Sequence, residues 1–234
     1  LNTQVLPMSL SLMRTQLDTL FTLDQHGRML CVNEPDDPPA PRLFIGRTTE
    51  GAIWAIRYDL PDDLAVSLSA ICAAEPIATH FDTAPQYAPV LRSLLEVGAE
   101  EYRGPAYIFR SEIPHVTGAI LITPEQRAVL APHFPELIAE YAQRAPIAVM
   151  VEQGIAVTAC WCSRQTEHAA EAGIMSIPDV RQRGYAVCVA AQWGRAVQAA
   201  GMTALYSTSW DNVASQGVAR KLGLHLYGED WQIT

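Results

Sequence analysis

The stretch Ala172-Gly-Ile-Met-Ser-Ile-Pro-Asp-Val-Arg-Gln-Arg-Gly-Tyr-Ala186 runs an apolar strand-like segment into Arg181-Gln-Arg-Gly-Tyr-Ala186, and an amphipathic segment follows at once. A strand that turns through a short loop into a helix start leaves several backbone N–H groups without intrahelical partners. They sit at the positive end of the helix dipole, an arrangement that suits a pyrophosphate. Gly184 has no Cβ, so backbone can approach a ligand closely there, while Arg181 and Arg183 add charge-assisted donors for phosphate oxygens. The loop taken alone is also what an ordinary strand-to-helix connection looks like, so its surroundings decide.

Downstream, Ala186, Val189, Ala190, Trp193, Val197 and Ala200 recur at steps of three and four, which predicts one apolar helix face ending at Gly201. The segment 203–209, Thr-Ala-Leu-Tyr-Ser-Thr-Ser, reads as a strand. Trp210-Asp211-Asn212 then offers capping residues for a second helix, with Ala214, Val218 and Leu222 on one face and Gly223 as its stop. The predicted order is strand, phosphate loop, helix, strand, helix.

Arg181-Gln-Arg-Gly-Tyr-Ala186, followed by Asn212-Val-Ala-Ser-Gln-Gly-Val-Ala-Arg-Lys-Leu-Gly-Leu224, resembles the acyl-CoA-binding core of the GNAT superfamily of N-acyltransferases. The family's R/Q-x-x-G-x-G/A loop matches at Arg181, Gly184 and Ala186. Its Asn-led helix ending in Lys-x-Gly-aromatic matches at Asn212, Lys221 and Gly223, with Leu224 where the family usually has Phe. The spacing between the two motifs leaves room for one helix and one strand, and the resemblance extends from about Pro105 to residue 234.

The resemblance implies direct transfer of an acyl group, usually acetyl, from CoA to an amine, either a small molecule or a peptide. It implies that the strand before the loop splays from its parallel neighbour, so that pantetheine meets backbone near Met175, Ser176 and Ile177. Main-chain amides of Gln182, Arg183, Gly184, Tyr185 and Ala186 would then hold the pyrophosphate beside Arg181. Glu171, on the splayed strand, is the candidate base for an amine that is protonated at neutral pH; a solvated carboxylate at a strand start is the plainer reading. Asn212 and Ser215 are expected to hold the cofactor or the helix geometry. The family's frequent Tyr, seven residues after the helix Asn, is Ala219 here. Either the thiolate leaves unaided, as a reference pKa of about 8.5 permits, or Tyr206, Tyr227 or Ser215 protonates it. A catalytically silent acyl-CoA-binding sensor or scaffold is the alternative function. A nucleotide-binding domain of another type is disfavoured, because both G-x-x-x-x-G-K-[ST] and a full G-x-G-x-x-G are lacking.

With 234 residues, 49% hydrophobic and 18% charged, the chain suffices for a packed core. The absence of an apolar run near the roughly 20 residues that span a bilayer, and of a secretory start, leads us to expect a cytoplasmic protein with no membrane partner. The net charge of −9 argues against nucleic acid and favours cationic acceptors. The five cysteines read as core residues of a reduced compartment. Cys160 and Cys162 are expected to direct their thiols to opposite faces of a strand, and no second cluster has ligand spacing, so no metal is expected.

The expected fold is α/β (α+β by some schemes): a mixed, mostly antiparallel central sheet with flanking helices, GNAT-like, plus an N-terminal α/β region. We expect residues 1–84 to form that region, of unassigned role beyond covering the acceptor side or mediating a homodimer, and 85–234 the acyl-CoA-binding domain. Within the first region, 8–20 and 61–73 read as helices, 20–23 with 29–32 and 42–47 with 52–58 as hairpins, and 75–89 as a linker. Beyond it, 90–98 reads as a helix, 106–109 as a strand, and 124–142 as a helix interrupted at Pro132 and Pro135. A hairpin pairs 147–151 with 155–161, and the strand 170–177 leads to the loop.

Overall fold

Eleven strands and seven helices appear among residues 8–95 and 100–234, the part of the chain that the computed structural model describes. The chain opens with α1 (Ser9–Leu20), a small hairpin of β1 (Phe21–Leu23) and β2 (Met29–Val32), and a larger one of β3 (Leu43–Thr48) and β4 (Gly51–Ile56). Two helices follow, α2 (Asp62–Ala73) and α3 (Ala88–Leu94), then β5 (Glu101–Ile108) and β6 (Ala119–Leu121). A 3-10 turn (Pro124–Leu130) and the short α4 (Glu136–Ala139) and α5 (Tyr141–Arg144) lead to β7 (Ala148–Glu152), β8 (Ile155–Gln165) and β9 (Ala169–Ser176). The last part is α6 (Tyr185–Ala199), β10 (Thr203–Ser207), α7 (Val213–Leu222) and β11 (His225–Ile233).

Nine of these strands form one sheet in the order β4-β3-β11-β5-β10-β9-β8-β7-β6. Every neighbouring pair is antiparallel except β9 and β10, which α6 joins in parallel. The fold is the mixed, mostly antiparallel sheet with flanking helices that the sequence leads one to expect. The hairpin β3–β4 is not set apart from it. Because β11 pairs with β3 on one side and β5 on the other, the sheet runs continuously across the expected boundary near Ala84.

Strand alternation sorts the core onto two faces. Phe44, Ala106, Ile108, Ala169 and Leu205 face α1, where they meet Leu12, Met13 and Leu17. Helix α1 lies close to the sheet, and a Cβ at Gly46 or Gly228 would collide with Met13. On the other face, Tyr107, Phe109, Cys160 and Ala170 pack on Val189, Trp193 and Val197 of α6, while Leu43, Ile45, Trp231 and Ile233 pack beside Leu68 of α2 and Leu91 of α3.

Several details differ from the sequence reading. Cys160 and Cys162 share one face and are both fully buried in the α6 cluster, since residues two apart on a strand point the same way. Burial pushes the Cys162 thiol up to about 12. The segment 124–142 is a 3-10 turn and two four-residue helices rather than one interrupted helix, because Pro132 and Pro135 remove donors in its middle. The expected helix over 90–98 begins earlier, at Ala88, and its part beyond residue 95 lies outside the described residues. Strands β6 and β11 are additional to the predicted set.

Candidate active site

The ladder between β9 and β10 holds only Ala169, Ala170 and Glu171 against Thr203, Ala204 and Leu205. Beyond Glu171, β9 continues to Ser176 against β8 alone, while β10 continues to Ser207 against β5. The two central strands therefore part, and a groove of about 590 Å³ opens where they do. Ile174, Met175 and Ser176 form one wall. Tyr206 and the α7 segment from Asn212 to Lys221 form the other, and Arg181, Gln182, Gly184, Tyr185 and Ala186 close the end.

The loop's conformation follows from its residues. Gln182 and Gly184 both have positive φ, +64° and +83°, and Gly184 is the N-cap of α6. No side chain caps that helix and no acidic residue lies in its first turn, so its dipole and first amides face the groove uncompensated. Helix α7 is the opposite case: Asn212 Oδ1 accepts from the Ser215 amide at 3.0 Å, which commits the Asn212 carbonyl oxygen to capping.

Most of the residues singled out from sequence come together here. Met175, Ser176, Arg181, Gln182, Gly184, Tyr185, Ala186, Asn212 and Ser215 all line the groove. Two do not. Arg183 turns away to pair with Glu152 at 3.2 Å, beside the hydrogen bond from the Tyr185 hydroxyl to the same carboxylate. The Ile177 amide donates to the Val157 carbonyl at 3.0 Å, so it is not open to a ligand strand. Lys221, the chain's single lysine, also lines the groove. Its place in the Lys-x-Gly motif, in the last turn of the helix that walls the groove, is the signal that could have added it.

Of the three residues considered as proton donors, Tyr206 and Ser215 line the groove together, with Oη and Oγ 2.6 Å apart. Burial raises the Tyr206 pKa well above the ordinary tyrosine value, so the phenol keeps its proton. Tyr227 lies on the α1 face against Gln16, and Ala219 is buried in the core under α7.

Glu171 stands at the fork itself, on the α1 face. It is 2% exposed and lines a second cavity of about 330 Å³ with Leu20, Tyr102, Arg164, Ser207 and Asp230. Its Oε1 accepts from Ser207 Oγ at 2.6 Å and its Oε2 has no partner. Burial raises its pKa above the usual carboxylate range; Ser207 and the Arg164 guanidinium act against that. Arg164 is ion-paired with Glu34, after β2, which ties the small hairpin to the cavity wall. The solvated carboxylate is thus excluded: this is a buried group at the divergence of the strands. Tyr102, Ser207, Arg164 and Asp230 were not anticipated, since each comes from a different strand. Trp161 packs its ring against Gly173 and lines neither cavity.

No described helix is long and apolar enough to cross a membrane, and no group of three or more His, Cys, Asp or Glu able to hold a metal occurs among the described residues.

No family model matches this sequence, and no curated protein matches it at the sequence level. Solved structures do match. A GCN5-related N-acetyltransferase from Kribbella flavida is 15% identical with a TM-score of 0.51, over 98% of this chain and 96% of that one. A GCN5-related N-acetyltransferase-like protein from Streptococcus suis 89/1591 is also 15% identical with a TM-score of 0.51, over 85% and 86%. The chain spans 64% of a GNAT-family structure from Novosphingobium aromaticivorans, over 57% of its own length, at 14% identity and a TM-score of 0.45. At such identities the likeness is one of architecture, and the parted parallel pair, the loop before α6 and the flanking helices together give this chain the fold of the GNAT superfamily.

Proposed function

We propose that this chain is an acyl-CoA-dependent N-acyltransferase that moves an acetyl or related acyl group to a primary amine by direct attack. The observation that carries this reading is the fork after Glu171. One face has a groove ending at an uncapped helix N-terminus, and the other has a cavity containing a buried carboxylate. A thioester lying through the fork would present its carbonyl carbon to the second cavity.

Each residue then has a role. The amides of 182–186 and Arg181 hold the pyrophosphate, with Lys221 as a further cation along the groove. Ile174 and Ser176, whose backbone groups alternate with that of Ile177 and so point away from β8, offer β9 backbone to the pantetheine arm in place of the missing strand neighbour, with the Met175 side chain in the groove wall. Glu171 accepts a proton from the incoming ammonium, for which its raised pKa is suited. A β9 N–H beyond the fork, left without a β10 partner, receives the charge that develops on the carbonyl oxygen. Tyr206 gives its proton to the departing sulfur and recovers it from solvent through Ser215.

Calorimetric titration with acetyl-CoA, and separately with ATP and NAD, tests the cofactor; thiol release with a panel of primary amines tests the reaction. We expect selective binding of acetyl-CoA and release that depends on amine. Binding without release over the whole panel would favour the silent sensor, and no binding of any CoA thioester would overturn both.

A further inference from the structure

Strand β11 carries two neighbouring buried carboxylates that the fold treats differently. Glu229 has no exposed surface and receives Arg47 Nε at 3.0 Å, Arg103 Nε at 2.7 Å and Trp210 Nε1 at 2.6 Å. Asp230, 1% exposed, receives Gln16 Nε2 at 2.5 Å on one oxygen, and its other oxygen has no partner. Gln16 is itself fixed by the Tyr227 hydroxyl, which can reach the α1 face because the β11–β5 register shifts between Leu226 and Gly228.

Glu171, on β9, repeats the pattern of Asp230: nine-tenths buried or more, with one oxygen bonded and one not. Both carboxylates line the same cavity under α1. A buried carboxylate oxygen without a donor is uncommon, because desolvation is then uncompensated, and two in one cavity call for a ligand that brings donors. The cation among the lining residues, Arg164, is paired with Glu34 through Nη2, and its buried Nε meets neither orphan oxygen.

We propose that Glu171 and Asp230 act as a pair that holds the ammonium group of a compact primary amine, the acceptor of the acyl group, and takes its proton before attack. This inference rests on the acyltransferase reading. The class of acceptor follows from the enclosure. At about 330 Å³ the cavity lies at the small end of the roughly 300–1,000 Å³ usual for ligand sites, with Leu20 of α1 in its wall, so it fits a short aminoalkane better than a peptide segment.

The proton count closes. Two carboxylates that share one cavity do not both ionise readily, so the proposed pair holds one proton and one negative charge when the amine arrives. Burial opposes ionisation of both, and the Glu171 charge adds to that at Asp230. Glu171, Glu229 and Arg164 act on Asp230, Ser207 and Arg164 act on Glu171, and the phenols of Tyr102 and Tyr227 face both. The ammonium gives one proton to the pair, and its nitrogen lone pair forms the N–C bond to the thioester carbonyl carbon. The C–S bond then breaks with its electrons on sulfur, sulfur gains a proton from Tyr206, the new amide nitrogen gives its second proton to water, and Tyr206 is reprotonated from solvent through Ser215. The pair returns its proton to water. Ammonium and thioester become amide, thiol and one released proton.

The test is calorimetric titration of the whole chain with n-propylamine, n-propanol, a blocked Ala-Lys-Ala peptide and acetyl-CoA, each alone, repeated in Asp230→Asn and Glu171→Gln. We expect n-propylamine to bind at least about tenfold more tightly than the isosteric alcohol or the peptide. Each variant should lose about tenfold for the amine while its acetyl-CoA affinity stays within about twofold. Amine binding no tighter than that of the alcohol, or unchanged in both variants, overturns the pair and, with acetyl-CoA still bound, leaves the acyltransferase reading intact. Amine bound as expected but acetyl-CoA not bound overturns that reading and leaves an ammonium site. Neither ligand bound overturns both. Should a variant fail to fold by its melting curve, the comparison of amine, alcohol and peptide on the unaltered chain decides alone.

Discussion

The two cavities that meet at Glu171 are made in different ways. Apart from Tyr206, the groove is built from two short contiguous stretches, 174–187 and 212–221, whose backbone does most of the work: a positive φ at Gly184, an uncapped helix start, an unpaired strand edge. The acidic cavity takes side chains from β5, β8, β9, β10, β11 and the end of α1. Backbone sites depend on what a residue's neighbours allow, and so survive drift elsewhere. Side-chain sites depend on strand order, and can be rebuilt for a new acceptor without touching the loop.

That contrast predicts which variants should separate the two sites. Gly184→Asp should have the largest effect, lowering acetyl-CoA affinity by about a thousandfold or abolishing it, through a carboxylate set against the pyrophosphate. Asp tolerates the left-handed region better than most residues. The backbone cost of about 1–2 kcal/mol is small beside a typical stability of about 5–15 kcal/mol, so a normal circular dichroism spectrum should accompany the loss. Retained affinity would remove the loop from the mechanism.

Next, Glu171→Gln should lower kcat/KM by about a hundredfold and flatten its rise with pH, leaving acetyl-CoA titrations unchanged. An unaltered pH profile would mean that the carboxylate only shapes the cavity. Tyr206→Phe, on the groove side, should reduce kcat by about tenfold without altering affinity, a modest effect because a thiolate leaves fairly well without help. A change in Kd equal to the change in kcat would reassign Tyr206 to binding.

The smallest effect concerns stability. Burial raises the Asp230 pKa in the folded chain above its unfolded value of 3.8, so folding favours the protonated form. That contribution is complete below about pH 4 and is lost as pH rises through the folded pKa. Asparagine has no proton to lose. Asp230→Asn should therefore melt higher than the unaltered chain at pH 8, by about 2–4 °C for each kcal/mol recovered, with the gap closing toward pH 4. A variant that melts lower at pH 8 would show that the charge is stabilised in the fold by something other than a ligand.

The groove was legible because its signals are local: Gly184 in its loop, the three- and four-residue steps of α6, Asn212 and Gly223 bracketing α7. Glu171 was found through the family resemblance, by its place on the strand that leads to that loop. Asp230 was not, for two reasons. Strand β11 puts Glu229 and Asp230 into the interior, where a polar pair reads as surface, and the register shift before Gly228 breaks the alternation that marks a strand. The Arg183 side chain was read toward the groove for a related reason: its partner Glu152 lies in another hairpin, and nothing near residue 183 announces it.

The place of β11 between β3 and β5 has a consequence for the birth of the molecule. Arg47, on β3, finds its partner Glu229 only 182 residues later in the sequence. A ribosome adds about 5–20 residues per second, so the β3–β4 hairpin waits on the order of ten seconds or more with a row of backbone groups and a cation that are destined for burial. Until β11 emerges to seal that seam, the nascent chain presents an open sheet edge, and the protection of that edge in the cell is a matter of timing rather than of stability.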